Sequence, residues 1–394
     1  MKILLIHNYY QQPGGEDVAM RAEFELLKSA GHHVSTYFRH NEEIEHLGPR
    51  RKALVPLQTL WGRGSAAELG EILRSERPDV AHFHNTFPLI SPSAYYACHE
   101  AGVPVVQTLH NYRLMCPTAT FFRNGNVCEE CVHHSLWRAV GYGCYRRSQL
   151  ASATVALMLA IHRRFQTWSR MVDCYVALTE FARRKFIAAG LPSGKIVVKP
   201  NCVYPDPGEG NRTREYALFV GRLDPTKGAA MLVAAWARLQ HHIPLHIVGN
   251  GPLRAELEAE SSQFALNVRV HGQLPREQTL EFIKGARFLI FPSQSFENLP
   301  VTIVEAFACG TPVLASRLGA MEEIVEHNRT GLHFDSSAPH DLAEKVQWAW
   351  AHPSHMAEMG RAARVEYEAK YTAKRNHRLL MAIYEQAIQS RKAA

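Results

Sequence analysis

Residues Ser295–Val313 read SFENLPVTIVEAFACGTPV. One carboxylate, Glu297, precedes an apolar run and a second, Glu305, lies inside it. Asn298 is of a type that caps helices, Pro300 suits a first helical turn, and Gly310 with Pro312 ends one. Apolar segments flank the stretch, Phe288–Ser293 (FLIFPS) before it and Pro312–Ser316 (PVLAS) after it. The expected order is strand, loop, helix, strand. In an open parallel sheet such a loop stands at the carboxyl end of a strand, where ligands bind.

A helix start turns backbone N–H groups and a positive dipole end toward an anion. Carboxylates accept hydrogen bonds from hydroxyls. Glu297 and Glu305 on either side of an anion site therefore suit a ligand made of sugar, diphosphate and ribose. Spacing alone does not decide this. Glu68/Glu76 and Glu358/Glu366 repeat the separation, and solvated helix acids are the ordinary reading of a bare pair.

The chain has 394 residues, enough for two domains. At 46% hydrophobic and 21% charged its composition is that of a globular protein and excludes a disordered one. The formal charge of +7 agrees with anionic substrates or an anionic membrane surface. MKILLIHNYY at the start does not read as a signal peptide, and the longest later apolar run, Val155–Ile161, is too short to span a bilayer. A cytoplasmic location follows as the expectation, with the eight cysteines reduced unless they bind metal.

In chain order, Lys2–Ile6 reads as a buried strand. A loop with Pro13, Gly14 and Gly15 follows, then a helix to about Ala30. The glycines permit close backbone approach to a ligand, though a plain turn explains them equally. Strands recur at His33–Phe38, Asp79–His84 and Val103–His110 with helices between, which predicts a doubly wound parallel sheet. His110 falls at a carboxyl strand end, where catalytic residues collect. His82 and His84 alternate with apolar residues, and a structural role is the reading for both.

Cys116–Cys144 is an excursion with four cysteines, among them the C-x-x-C pair Cys128 and Cys131. Cys116, Cys128, Cys131 and Cys144 could form a structural zinc site, with His133 or His134 as substitutes. A cysteine-rich loop or a redox pair is the alternative. The helical stretch Ser148–Arg170 carries Arg163, Arg164 and Arg170 near Trp137 and Trp168. It fits an anionic lipid surface, or equally a core helix with a solvated end. Val172–Thr179 and Lys195–Pro200 read as strands, and the tract Pro205–Glu215 as the domain boundary.

The second domain opens with the strand Tyr216–Gly221 and the loop RLDPTKG, in which Arg222 and Lys227 can reach one anion. Leu245–Pro252 ends in a glycine loop with Gly249 and Gly251, and Val268–Gly272 follows. Such turns bring backbone close to a flat base. A last amphipathic helix, roughly Tyr371–Ser390, must dock its apolar stripe.

GRLDPTKG, IVGNGP and FENLPVTIVEAFACGTPV, in this order, resemble the retaining family-4 glycosyltransferases of the GT-B fold. The glycine loop, His110 and KPNCV (Lys199–Val203) extend the likeness to nearly the whole chain. The resemblance implies two Rossmann-like domains with parallel sheets facing across a cleft, and a final helix crossing back to the first. The expected domains are residues 1–203, with the insertion 116–144, for the acceptor; 204–370 for the nucleotide sugar; and 371–394 for the returning helix.

The resemblance also implies roles. Arg222 and Lys227 bind the donor diphosphate and neutralise the charge it gains on leaving. Glu305 holds the ribose. Glu297 holds hydroxyls of the transferred sugar, beside Asn298, Leu299, Pro300 and Val301. Gly14, Gly15, Asn201, Gly249, Gly251 and Gly272 complete the donor site, and His110 stands at the sugar near the reacting centre. No D-x-D occurs, so metal-independent catalysis by cations and a helix start is expected, by a front-face route with retention. The insertion resembles that of a bacterial polysaccharide-assembly subgroup.

The expected activity is transfer from a UDP- or GDP-sugar to a saccharide or lipid-linked acceptor, in surface or exopolysaccharide synthesis, at the inner face of the cytoplasmic membrane. No nucleic acid is expected as a partner. The competing readings are another GT-B enzyme, such as a sugar-nucleotide epimerase, and a zinc-stabilised nucleic-acid-binding protein.

Overall fold

Runs of Val, Ile, Leu and Phe buried on both faces are the mark of parallel sheets covered by helices, and the computed structural model has two of them. It describes residues 1–12, 14–210, 214–239 and 243–393. Pro13 of the first glycine loop and residues 211–213 of the boundary tract lie outside the described residues.

The strands are β1 (Lys2–Tyr9), β2 (His33–His40), β3 (Val80–Asn85), β4 (Val105–Thr108), β5 (Phe122–Arg123), β6 (Asn126–Val127), β7 (Cys174–Ala177) and β8 (Ile196–Val198). They continue with β9 (Tyr216–Val220), β10 (Leu245–Val248), β11 (Val268–Gly272), β12 (Ala286–Phe291), β13 (Val313–Ser316) and β14 (Gly331–Phe334). One sheet has the order β2-β1-β3-β4-β7-β8, the other β11-β10-β9-β12-β13-β14, and β5-β6 is a separate hairpin. Both large sheets are parallel throughout. These are two Rossmann-like folds.

The chain divides into two compact units. Unit 1 comprises Met1–Phe121, Glu129–Asn201 and Lys374–Ala394; unit 2 comprises Phe122–Cys128 and Cys202–Ala373. The cysteine-rich excursion is thus shared between them, not wholly in the first. The core of unit 1 joins Ile3, Leu5, Val80, Val106 and Val176 to Leu380, Ile383, Tyr384 and Ala387 of the helix Ala373–Ala393. Each fully buried side chain of this kind stabilises by about 1.5–3 kcal/mol, which explains why the last helix docks here. In unit 2, Phe219, Phe288, Ile290 and Leu314 pack with Leu232 and Trp236.

Some bounds differ from the sequence reading for local reasons. The strand expected over Val103–His110 is Val105–Thr108. Pro104 has no N–H for a ladder, although its carbonyl accepts from Ala81 N at 2.9 Å. At its other end the strand stops at Thr108, and His110 stands two residues beyond it. The helix expected over Ser148–Arg170 is Gln149–Arg164, with Ser148 Oγ accepting from Ala151 N at 3.2 Å as the cap. Gln166, at φ +57°, breaks it before the short helix Thr167–Arg170.

Candidate functional site

The order of the second sheet reverses direction between β9 and β12. A reversal of this kind leaves a crevice outside the carboxyl strand ends, the ligand position of open α/β sheets. RLDPTKG leaves β9 there and SQSFENLP leaves β12 there. Two stretches far apart in sequence thus meet because their strands pair, Leu218 opposite Leu289 and Phe219 opposite Ile290.

Asp224 shapes the first loop. Its Oδ1 accepts from Thr226 N at 2.9 Å and Lys227 N at 3.2 Å, capping the single turn Pro225–Lys227. Its Oδ2 pairs with Arg222 Nη2 at 2.7 Å. Gly228 follows at φ +69°, where a Cβ would lie 1.9 Å from Pro292 O. Only glycine lets this loop close on the end of β12. Gln294 N then donates to Thr226 O at 2.9 Å.

This closure puts Lys227 Nζ 2.7 Å from Glu297 Oε1. Ser293 Oγ lies 2.8 Å from the same oxygen. Arg222, Lys227 and Glu297 therefore stand on neighbouring loops of one strand-end cluster, and Arg222 is the exposed member.

The helix expected after Glu297 is Val301–Ala308. Asn298 does not cap it: Pro300 occupies the N-cap and its carbonyl accepts from Ile303 N at 3.1 Å. Pro300 has no N–H to lose there. Leu299 and Asn298 are buried before the cap. At the far end Gly310 takes φ +66°, Thr311 N donates to Ala306 O at 2.8 Å and Gly310 N to Phe307 O at 3.0 Å, a Schellman ending. Glu305 is buried in this helix and accepts from Arg276 Nε at 3.0 Å. Burial pushes its carboxyl above the usual range, and Arg276 opposes that shift.

The glycine loops close on one another. Gly249 N donates to Gly272 O at 2.8 Å, and Leu223 N to Asn250 O at 3.0 Å. Gly249 sits at φ +150°, and a Cβ on it would come 1.9 Å from Gly221 O. Gly251 packs against Leu223 backbone in the same way. The ends of β9, β10 and β11 are thus laced together by backbone.

In unit 1, Gly14 N donates to Asp17 Oδ2 at 2.7 Å, and Asp17 Oδ1 meets His7 Nε2 at 2.7 Å. The helix Gly15–Ser29 starts on this bond. Its next residue, Glu16, accepts from Asn111 Nδ2 at 2.9 Å. Burial pushes the Glu16 carboxyl up to about 8. His110 lines a pocket with Phe87, Pro88 and Arg113. Its Nε2 lies 2.8 Å from His84 Nδ1. Asn201 is buried at the end of the unit.

Behind His84 stands a buried polar group. Glu23 Oε1 lies 3.4 Å from His84 Nε2 and 3.0 Å from His82 Nδ1. Lys199 Nζ donates to Glu23 Oε2 at 2.9 Å and to Asn376 Oδ1 at 3.2 Å. Burial opposes ionisation of Glu23, but Lys199 and His82 outweigh it and hold the carboxyl well below its usual range. Burial and His82 lower His84 to about 3. Burial and His84 hold His110 well below the ordinary imidazole range. Sequence reasoning missed Glu23, Lys199 and Asn376. The alternation in VAHFHN was the available signal: it gave His82 and His84 a structural role, and both are buried.

Among the described residues, the metal-competent trio within 4.8 Å is Glu23, His82 and His84; none of Cys116, Cys128, Cys131 and Cys144 belongs to it. Cys116 Sγ instead contacts Thr118 Oγ1 at 3.1 Å. Lys199 already supplies a cation to Glu23.

Two sequence-family models match the chain. One, described as a glycosyl transferase 4-like domain, matches residues 14–202; the other, glycosyl transferases group 1, matches residues 206–366. D-rhamnosyltransferase WbpZ of Pseudomonas aeruginosa is 32% identical over 161 residues, 40% of this chain and 42% of that protein. This chain therefore matches under half of that relative's length. A glycosyltransferase of Methanocaldococcus jannaschii is 24% identical over 88% of this chain and 87% of its own. Among solved structures, sucrose-phosphate synthase of Thermosynechococcus elongatus has a TM-score of 0.73 at 19% identity, over 99% of both chains. HepE of Anabaena, in complex with UDP, has a TM-score of 0.69 at 18% identity, over 98% of this chain and 100% of that one.

Proposed function

The chain belongs to the family-4 glycosyltransferases of the GT-B fold, and from that premise we propose that it transfers a sugar, with retention, from a nucleoside-diphosphate sugar to a saccharide or lipid-linked acceptor in bacterial surface-polysaccharide synthesis. The observation that carries the donor half is the Lys227–Glu297 pair at the β9/β12 switch point, with Arg222 on the same loop. Two cations suit a diphosphate, bidentate for Arg and a point charge for Lys. The acid suits sugar hydroxyls and the buried Glu305 the ribose. Gly249, Gly251 and Gly272 line the base side, and Asn298, Leu299, Pro300 and Val301 the sugar side. Anabaena HepE, with UDP and with UDP-glucose in its structures, supports a UDP-sugar as the first donor to try, and a GDP-sugar as the second.

In this reading unit 1 supplies the acceptor face, and Gly14, Gly15, His110 and Asn201 are its candidate contacts, His110 to a sugar hydroxyl. As the donor bond breaks, charge grows on the diphosphate. Arg222, Lys227 and the start of the helix Val301–Ala308 offset it. The leaving phosphate takes the acceptor proton on the same face, which retains configuration without a metal.

We further propose a contact with anionic membrane at the inner face. The helices Pro49–Leu60 and Gln149–Arg164 pack together. They expose Leu57 (63%) and Leu150 (78%), with Trp137 and Phe165 nearby in sequence and also exposed. Arg50, Arg51, Lys52, Arg163 and Arg164 add charge, and residues 47–67 and 131–172 contain no Asp or Glu. Apolar and cationic side chains together suit such a surface. Among the described residues no helix is long and apolar enough to cross a membrane. A structural zinc on the four cysteines rests on their spacing alone; elemental analysis finding none would end it.

A panel of nucleotide sugars with polysaccharide and lipid-linked acceptors tests the function. Nucleoside diphosphate released together with a glycosylated acceptor is the expected result. Epimerised donor, or no turnover of any nucleotide sugar, would contradict it.

A further inference from the structure

His110 is a neutral imidazole whose usefulness to a bound hydroxyl depends on which nitrogen carries its proton. The chain of contacts behind it fixes that choice. Glu23 is ionised, with Lys199 Nζ on Oε2 at 2.9 Å and His82 Nδ1 3.0 Å from Oε1. Oε1 also lies 3.4 Å from His84 Nε2, a close electrostatic approach without hydrogen-bond geometry. His84 is fully enclosed and neutral, so it has one N–H. Placing that proton on Nδ1 would leave the Nε2 lone pair against a carboxylate oxygen in a buried setting, which is repulsive. The proton therefore belongs on Nε2. His84 Nδ1 then presents a lone pair to His110 Nε2 at 2.8 Å. Two lone pairs at that distance would repel, so His110 Nε2 must donate. Its Nδ1 is left as the acceptor.

We propose that Glu23 and His84 are positioning residues that lock His110 in the Nε2–H tautomer, so that Nδ1 stands ready to accept a hydrogen bond from a bound sugar hydroxyl. The inference rests on the reading of His110 given above as a sugar-contacting group. The other titratable groups facing this chain are His7, whose ring is 6.2 Å from that of His84, His82 at 4.4 Å, and Lys199. None of them offers His84 Nδ1 an alternative partner. His7 Nε2 is committed to Asp17, and His82 Nε2 lies 2.8 Å from Thr108 Oγ1. Tyr384 and Asn376 bring the last helix into the same group: Tyr384 OH is 2.8 Å from His82 Nδ1, and Asn376 Nδ2 donates to Pro200 O at 2.7 Å. This explains why so many polar side chains are buried between β3 and the C-terminal helix.

The test is nitrogen NMR of the full chain with ¹⁵N-labelled histidine, the His110 signals assigned by their loss in His110→Gln. The expected result is a proton on Nε2 and an unprotonated Nδ1 between about pH 6 and 8. Glu23→Gln, which can turn an amide N–H toward His84, should give a tautomer mixture. It should also lower kcat about tenfold with donor KM within about twofold. His84→Asn, whose side-chain carbonyl can still accept from His110, should retain more of the Nε2–H form than Glu23→Gln. A parent His110 protonated on Nδ1, or an unchanged tautomer in Glu23→Gln, would overturn the proposal. The tautomer itself is read in the parent, and His110→Gln serves only to assign its signals. If the tautomer is as expected but no nucleotide sugar is turned over, the transferase reading fails and the positioning stands.

Discussion

Lys227 Nζ lies 2.7 Å from Glu297 Oε1, so the cation of one strand-end loop is held by the acid of the next. A diphosphate bound at Lys227 must share or displace that carboxylate. Glu297→Gln removes the competing charge. Nucleoside diphosphate without sugar should then bind about two- to fivefold more tightly, the scale of a partly exposed ion pair. Turnover of the nucleotide sugar should fall by about tenfold or more, because the sugar hydroxyls lose an ionised acceptor. Calorimetric titration and steady-state kinetics check the two halves. Weaker diphosphate binding in this variant would place the two side chains on separate ligands.

Glu305 is buried against Arg276, and burial raises its carboxyl above the usual range. A bond from ribose to an ionised carboxylate contributes about 1.5–3 kcal/mol. Glu305→Gln should therefore weaken donor binding by roughly ten- to a hundredfold. The variant should lose little on a 2′,3′-dideoxy analogue, which has no hydroxyl to offer. The parent's affinity should decline as pH falls through the raised value, while that of the variant stays level. Equal losses on ribose and dideoxyribose would show that Glu305 only braces Arg276.

Much of the strand-end cluster of Arg222, Lys227 and Glu297 was legible because strand ends are marked by glycine and proline. Gly228 and Gly249 are glycine for reasons of backbone approach that sequence can suggest but not prove. What sequence did not give is strand adjacency. β9 and β12 are neighbours only through the 3-2-1-4-5-6 winding, and the Lys227–Glu297 pair depends on it. The helix start was misjudged because Asn298 is a good cap type, whereas Pro300 holds that position. The network in unit 1 was invisible for another reason. Lys199 is 1% exposed, and composition rules place lysine on the surface. Its partners Glu23 and Asn376 come from the first and last helices, at opposite ends of the chain, so no local pattern joins them.

Glu16 gives a stability prediction with a definite sign. Burial raises its carboxyl to about 8 from an ordinary 4.5. The folded protein therefore binds more protons than the unfolded chain between these values, and this site's contribution is lost as pH rises through that window. Glu16→Gln cannot ionise. Its stability relative to the parent should rise between about pH 4.5 and 8 by on the order of 1–3 kcal/mol, allowing for solvent access. Urea melts at several pH values measure this. A difference that does not change with pH would mean that the carboxyl is ordinarily ionised in the fold.

The proposed membrane contact predicts salt dependence. Vesicles rich in phosphatidylserine should retain the protein at low salt, and phosphatidylcholine vesicles should not. Arg163→Glu and Arg164→Glu should each cost about fivefold or more in vesicle affinity, from about 1 kcal/mol per basic residue. Leu57→Ser should weaken binding without changing its salt slope, since it removes apolar area only. Co-sedimentation that is equal for both lipids would remove the contact.

The central claim is that Arg222 and Lys227 stabilise a departing diphosphate. Release of nucleoside diphosphate from a nucleotide sugar, in the presence of acceptor, should be followed for the parent, Arg222→Ala and Lys227→Ala, with Lys345→Ala as a surface control. Turnover in the first two variants is expected to fall about a hundredfold, near 3 kcal/mol of lost transition-state stabilisation, while the control keeps parental activity. Near-parental turnover in Lys227→Ala and Arg222→Ala would contradict the account.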